Sequence, residues 1–258
     1  MTMYCGIDLH SNNNYVAIQD ESHRDVVCRR LRNDLEVVKG FLEPYRNELE
    51  AIAVESTYNW YWLVDGLMEA GYSVRLVNTT KASDYSGLKV TDDRHDARWI
   101  AHLLALGILP EGYIMPREER GLRDLLRRRM FLVQKRTSHL VSIKTILARS
   151  TGKRVSVADI QKLDTETIGK VISDPYVMES ITCMLPVVRV LTNQIKAVES
   201  TAIATGKLRD EFRLLQTAAG IGNVLALTIM CETGNIRRFA SAGNYASYCR
   251  CVKSCLLY

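Results

Sequence analysis

The strongest constraint on this chain is the order in which its hydrophobic period changes over the first hundred residues. Three short runs between 3 and 31 alternate at period two. Tyr4, Gly6 and Asp8 fall on one side of the first run, and Cys5, Ile7 and Leu9 on the other. A turn cluster, Ser11-Asn12-Asn13-Asn14, leads into Tyr15-Val16-Ala17-Ile18, and a charged turn leads into Val26-Val27-Cys28. This reads as a three-stranded meander. Residues 34–46 then switch to helical spacing (Leu35, Val38, Phe41, Leu42), with Asp34 placed to cap. Residues 50–55 read as a buried strand ending on an acid, 58–70 as a helix closed by Gly71, 72–77 as a strand, and 92–106 as a helix. The order βββαβαβ followed by a helix predicts an α/β domain with a mixed sheet.

Beyond residue 117 the pattern is helical only. Leu126, Val133, Leu140 and Leu147 recur every seven residues, partly joined by Leu122 and Ile143 and interrupted by Arg129 and Arg136. The segment from Arg117 to Arg154 carries twelve Lys or Arg against three acids, a net +9, while the rest of the chain sums to −4. Solvated helix faces usually mix both signs, so a basic stripe on a slightly acidic body points to a polyanionic partner. Residues 176–203 offer a second long helix (Ile181, Leu185, Val188, Leu191, Ile195, Val198, Ala202), after a polar connector over 151–175. Together they predict a helical hairpin or coiled coil. Near the end, Ala219-Gly220-Ile221-Gly222 is a short turn opening another helix. The expected divisions are 1–112, a basic helical region over 113–210, and a small helical domain from 211 to 258.

A chain of 258 residues with 47% apolar and 24% charged residues is ordinary globular material, which excludes wholesale disorder. No run reaches the roughly 18–20 uncharged apolar residues of a membrane helix. Met1-Thr2-Met3-Tyr4-Cys5 reads as strand and not as a signal peptide. The seven cysteines are scattered, with no Cys-x-x-Cys, which predicts reduced thiols and a cytoplasmic location. Cys249, Cys251 and Cys255 fit no common zinc spacing.

Chemistry concentrates in acids at element ends. Asp8 sits in the first strand beside small Gly6, which is expected to leave its carboxylate exposed at the sheet centre; Glu55 ends a buried strand, and Asp93 and Asp96 are three apart on one helix face. Asp92 is placed to cap that helix. Four carboxylates brought together are stable as anions only if cations neutralise them. Hard divalent ions such as Mg²⁺ or Mn²⁺ suit oxygen ligands, and two of them suit phosphodiester chemistry. His10 and His95 neighbour these acids and are candidates for a hydrogen bond or proton transfer. Tyr58, Trp60, Tyr61 and Trp62 follow Glu55, either packing on the sheet or stacking on bases.

Gly6-Ile7-Asp8, Val54-Glu55-Ser56 and Lys89-Val90-Thr91-Asp92-Asp93-Arg94-His95-Asp96-Ala97 resemble the DEDD motif of RuvC-like transposases of insertion sequences. Ala219-Gly220-Ile221-Gly222 and Gly234-Asn235-Ile236-Arg237-Arg238-Phe239-Ala240-Ser241 resemble their helical transposase domain, so the likeness covers nearly the whole chain. The resemblance implies an RNase H-like domain followed by a coiled coil and a small all-α domain. It implies Asp8, Glu55, Asp93 and Asp96 as metal ligands and catalytic residues, with Mg²⁺ or Mn²⁺ as cofactor. It further implies DNA as substrate, a guide RNA, and a dimer or tetramer away from any membrane. Arg123, Arg127, Arg128, Arg129, Lys135, Arg136, Lys144 and Arg149 are then expected on phosphates, as are the backbone amides at Gly220 and Gly222.

In that family a nucleophilic Ser followed by Gly lies somewhat beyond the position of Tyr248, and no Ser-Gly follows Tyr248 here. Ser254 has the wrong successor, and Ser241 reads as a cap or packing residue. The expectation is that the nucleophile-bearing end is missing. Three other readings stay open. One is a RuvC-like nuclease or junction resolvase using water; another is a nucleic-acid-binding protein without activity. The third is an actin-like ATPase, which would need a second Gly-rich phosphate turn beside an Asp.

Overall fold

The computed structural model describes residues 1–82, 92–206 and 209–251. They form two units, Met1–Met115 and Pro116–Tyr258. In the first, β1 (Met3–Leu9), β2 (Asn13–Asp20) and β3 (Asp25–Arg32) make the meander. Then come α1 (Leu35–Leu42), a 3-10 turn (Glu43–Tyr45), β4 (Leu49–Glu55), α2 (Tyr61–Glu69) and β5 (Val74–Val77). A short α3 (Thr79–Ala82), α4 (Asp93–Ala105) and β6 (Glu111–Gly112) complete it. The sheet order is β3-β2-β1-β4-β5-β6. β1 pairs antiparallel with β2 and parallel with β4, so the sheet is mixed and β1 lies inside it. The Thr91 position of the third acidic motif lies outside the described residues.

Strand alternation splits the two sheet faces. Cys5, Ile7, Leu9, Ile52 and Val54 join Val38, Leu42, Leu63 and Leu67 in one core, so α1 and α2 cover that face. The other face is unusually shallow. Register places Gly6 opposite Ala17 on β2 and Ala53 on β4, a row of small residues straight across three strands. Onto this row α4 packs with fully buried Ala97 and Ala101. A Cβ on Gly6 would collide with the Ala97 carbonyl and lie 2.5 Å from the Ala101 nitrogen. Glycine is therefore required there to let a helix backbone touch a strand backbone. The helix expected over 58–70 begins at Tyr61, because Tyr58 to Trp60 sit in a loop fixed by Thr57 N–H donating to the Glu55 carbonyl (2.9 Å).

Among the described residues the second unit holds helices and no strand. α5 (Arg117–Thr151) runs 35 residues and stops at Gly152, whose φ of 69° is left-handed. Short α6 (Val157–Lys162) and α7 (Thr165–Gly169) follow, each opened by a capping box. Then come α8 (Pro175–Thr182), α9 (Met184–Gly206), α10 (Asp210–Gln216), α11 (Asn223–Thr233) and α12 (Ala242–Tyr248). The single helix expected over 176–203 is thus two. Pro186 lacks an amide donor and belongs to the first turn of a helix, so the chain restarts at Met184. α5 and α9 pack as an antiparallel pair with a core near each end. Leu140, Ile143 and Leu147 meet Ile181, Leu185 and Val188 at one end, and Leu126 meets Ala202, Phe212 and Leu227 at the other.

The six described cysteines are free, and burial pushes the Cys231 thiol up to about 11. Among the described residues no helix is long and apolar enough to cross a membrane.

Candidate metal centre

Asp8 is the centre of the site. It lies one alternation beyond Gly6, on the face that α4 covers, and is 2% exposed. Its carboxyl is pushed up to about 9, first by burial, then by a hydrogen bond with Glu55 and by the charges of Glu55, Asp96 and Asp93. The other three acids singled out in the sequence therefore all lie close enough to act on Asp8. Carboxylates crowded this closely disfavour full ionisation of the group.

Each acid owes its place to a different element. Asp8 is near the end of β1, and Glu55 is the last residue of β4. Asp93 and Asp96 are in the first turn of α4, whose N-terminus favours anions, while Asp92 caps that helix by accepting from Arg94 N–H (3.4 Å). The close Gly6–Ala97 approach holds this turn over Asp8.

His10 belongs to the same group, and its role was only half legible in the sequence. Its Nε2 lies 3.0 Å from Asp8 Oδ2 and 3.5 Å from Asp93 Oδ2. Donor atoms of Asp8, His10 and Asp93 all lie within 4.8 Å of one another. Asp8 Oδ2 and His10 Nε2 are both buried, and neither has a hydrogen-bond partner. A buried carboxylate oxygen beside an imidazole nitrogen and among further carboxylates is a donor set that fits a divalent cation.

The other candidate residues have mixed fates. Arg123 and Arg127 both bind Glu232 of α11, at 3.0 and 2.6 Å, and Arg129 binds Glu199 of α9 at 2.6 Å. Burial opposes the charge on Glu232, but hydrogen bonds from Arg127 and Arg123 outweigh it and hold the carboxyl below its usual range. Three of the expected phosphate ligands are thus ion-paired between helices. Arg128 and Lys135 flank the Phe131 ring at 5.4 and 5.2 Å, and Arg149 is exposed in the last turn of α5. Gly220 has a φ of 86°, and Gly222 is the N-cap of α11. Ser241 caps α12, its hydroxyl accepting from Asn244 N–H at 3.2 Å. Trp60 is buried in the sheet core, whereas Tyr58, in the loop after Glu55, is 83% exposed. Ser254 and Cys255 lie outside the described residues.

A mixed sheet bearing acids on its central strands, with more on the helix packed above them, defines an RNase H-like domain of DEDD type. Residues 5–151, more than half of the chain, match the IS110 DEDD transposase family, described as a transposase. Residues 212–254 match the transposase IS116/IS110/IS902 family. The chain belongs to the IS110 family of DEDD transposases. No curated protein matches it.

Proposed function

We propose that this chain is a metal-dependent DNA transposase of an insertion sequence in which Asp8, Glu55, Asp93 and Asp96 hold Mg²⁺ or Mn²⁺ against the scissile phosphate. The observation that carries this is the burial of Asp8 among three further carboxylates, an arrangement unfavourable without cations. Bound divalent ions would supply charge neutralisation and polarisation of phosphate oxygens. The chain's own contribution is orientation: α4 sets Asp93 and Asp96 over Asp8, and β4 sets Glu55 beside it.

The basic face of α5 supports a nucleic-acid partner, DNA together with a guide RNA. Arg128, Lys135, Arg136, Lys144 and Arg149 are assigned to direct phosphate contact. Arg123, Arg127 and Arg129 become available only where a phosphate displaces Glu232 or Glu199. The amides at Gly220 and Gly222, opening α11, are assigned to a further phosphate. Exposed Met130, Phe131 and Val141 on α5 and Val187 and Val190 on α9 favour docking of a second copy. Residues 113–210 and 211–258 act as separate functional parts in this reading.

The test is incubation of purified chain and its co-purifying RNA with DNA carrying the element's ends, in Mg²⁺ and then Mn²⁺. Cleavage or joining that disappears in Asp8→Asn and Glu55→Gln supports the reading. Strand hydrolysis without any protein–DNA link supports a nuclease using water. Cleavage unaffected by either substitution overturns the site.

A further inference from the structure

The acids alone do not account for His10. Its backbone is held unusually firmly for a residue just past a strand. Its N–H donates to the Asn13 carbonyl (2.9 Å), and its own carbonyl accepts from Asn33 Nδ2 (2.9 Å) and Asn59 Nδ2 (3.0 Å). Asn33 precedes the cap of α1, and Asn59 sits in the loop after Glu55, so segments before two helices converge on one carbonyl. The ring is thereby presented to the acids from a fixed backbone, edge-on to Tyr15 at 6.4 Å.

What the ring does there follows from its distances. Ligand atoms about 2.1 Å from an octahedral ion stand roughly 3 Å apart when they occupy neighbouring vertices. His10 Nε2 is 3.0 Å from one carboxylate oxygen and 3.5 Å from the other, close to that spacing. Asp8 Oδ2 and His10 Nε2 are both buried, and beyond their own 3.0 Å contact neither has a hydrogen-bond partner. The nitrogen thus stands near that spacing from both carboxylate oxygens, and donor atoms of all three residues lie within 4.8 Å of one another, close enough to share one ion.

We infer that His10 Nε2 is a metal ligand, completing with Asp8 and Asp93 a mixed nitrogen–oxygen site that selects Mn²⁺ over Mg²⁺. Mg²⁺ is hard, strict in geometry and slow to give up water, so an imidazole gains it little. A first-row transition ion accepts the nitrogen readily. This rests on the metal-centre reading above and adds to it one donor and a preference.

The test is titration of the purified full-length chain with Mn²⁺, free ion being read by electron paramagnetic resonance and ¹⁴N coupling of the bound ion by electron spin echo modulation. Mg²⁺ is then added as competitor. The expected result is histidine-type ¹⁴N modulation in the unsubstituted chain that vanishes in His10→Gln and His10→Ala. Mn²⁺ affinity should fall at least about 10-fold, the loss that removal of even an outer partner can bring, with little change for Mg²⁺. His10→Asp should restore binding and shift preference towards Mg²⁺. Melting in EDTA controls for folding, and the half-exposed ring predicts no loss there. Binding with no ¹⁴N coupling, and unchanged or tighter in His10→Ala, overturns the proposal and leaves the four-carboxylate site standing. That is the result expected of an imidazolium merely paired with Asp8. Absence of binding, or binding that survives Asp8→Asn, overturns the metal centre itself and the role of His10 with it.

Discussion

At the scale of single residues, the site is governed by a conflict at Asp8 between burial and charge. Its folded carboxyl titrates near 9 and its ordinary value is 3.8, so the folded chain keeps a proton that the unfolded chain loses. Such a group contributes stability that is fully present below about 4 and is lost as pH rises towards 9. In EDTA the melting temperature should therefore fall progressively across that window. Asp8→Asn should flatten the profile and raise the melting temperature at pH 8, while abolishing protection by divalent ions. A melting temperature that rises from pH 5 to 8 in EDTA would show that Asp8 is not buried among anions. In the proposed metal site, cation binding and the stability of the buried anions are thus linked. Each added ion should stabilise the fold in proportion to the logarithm of its concentration above its dissociation constant.

At the scale of elements, the decisive contact is α4 lying on β1 at Gly6. Gly6→Ala removes none of the four acids but forces α4, with Asp93 and Asp96, away from the strand. We expect it to cost at least about 1–3 kcal/mol of stability and to weaken metal binding as strongly as loss of a ligand, measured by chemical denaturation and Mn²⁺ titration. The chain itself made much of this legible. Period-two runs located the three meander strands, and Asp34 and Asp92 marked helix starts, but Gly6 beside Asp8 read as leaving the carboxylate exposed, whereas α4 packs close over Gly6 and the carboxylate is buried. Contacts remote in sequence were not legible. Glu199 and Glu232 claim arginines 70 and 105 positions earlier, and no local pattern announces such partners. The reach of His10 to Asp93 likewise depends on how α4 docks. The break before Met184 was signalled by Pro186, but the hydrophobic period continues across it and masks the restart. Glu232→Gln tests the arginine assignment. It should lower the stability of the helical unit by about 1–2 kcal/mol while tightening nucleic-acid binding, because Arg123 and Arg127 are released. Weaker binding in this variant would mean that the ion pairs shape the binding surface.

At the scale of the whole molecule, charge and length become the relevant quantities. If all eight basic residues named on α5 met phosphates, the logarithmic salt dependence of duplex binding would have a slope of about −7. With three held in ion pairs the slope should be about −4 to −5, and fluorescence anisotropy between 50 and 300 mM salt distinguishes the two. Matched changes in α5 and α9 probe the long antiparallel pair. Seven residues added to each should preserve melting, because both hydrophobic seams keep their facing. Two residues added to each should abolish cooperative unfolding of that unit. The 35 residues of α5 rise about 50 Å, close to 15 base pairs of duplex at 3.4 Å each. With a core clamped near either end of this rod, its middle is a ruler: the spacing between two gripped points on a nucleic acid is set by a count of amino acids, and altering that count should move a footprint boundary without altering any base contact.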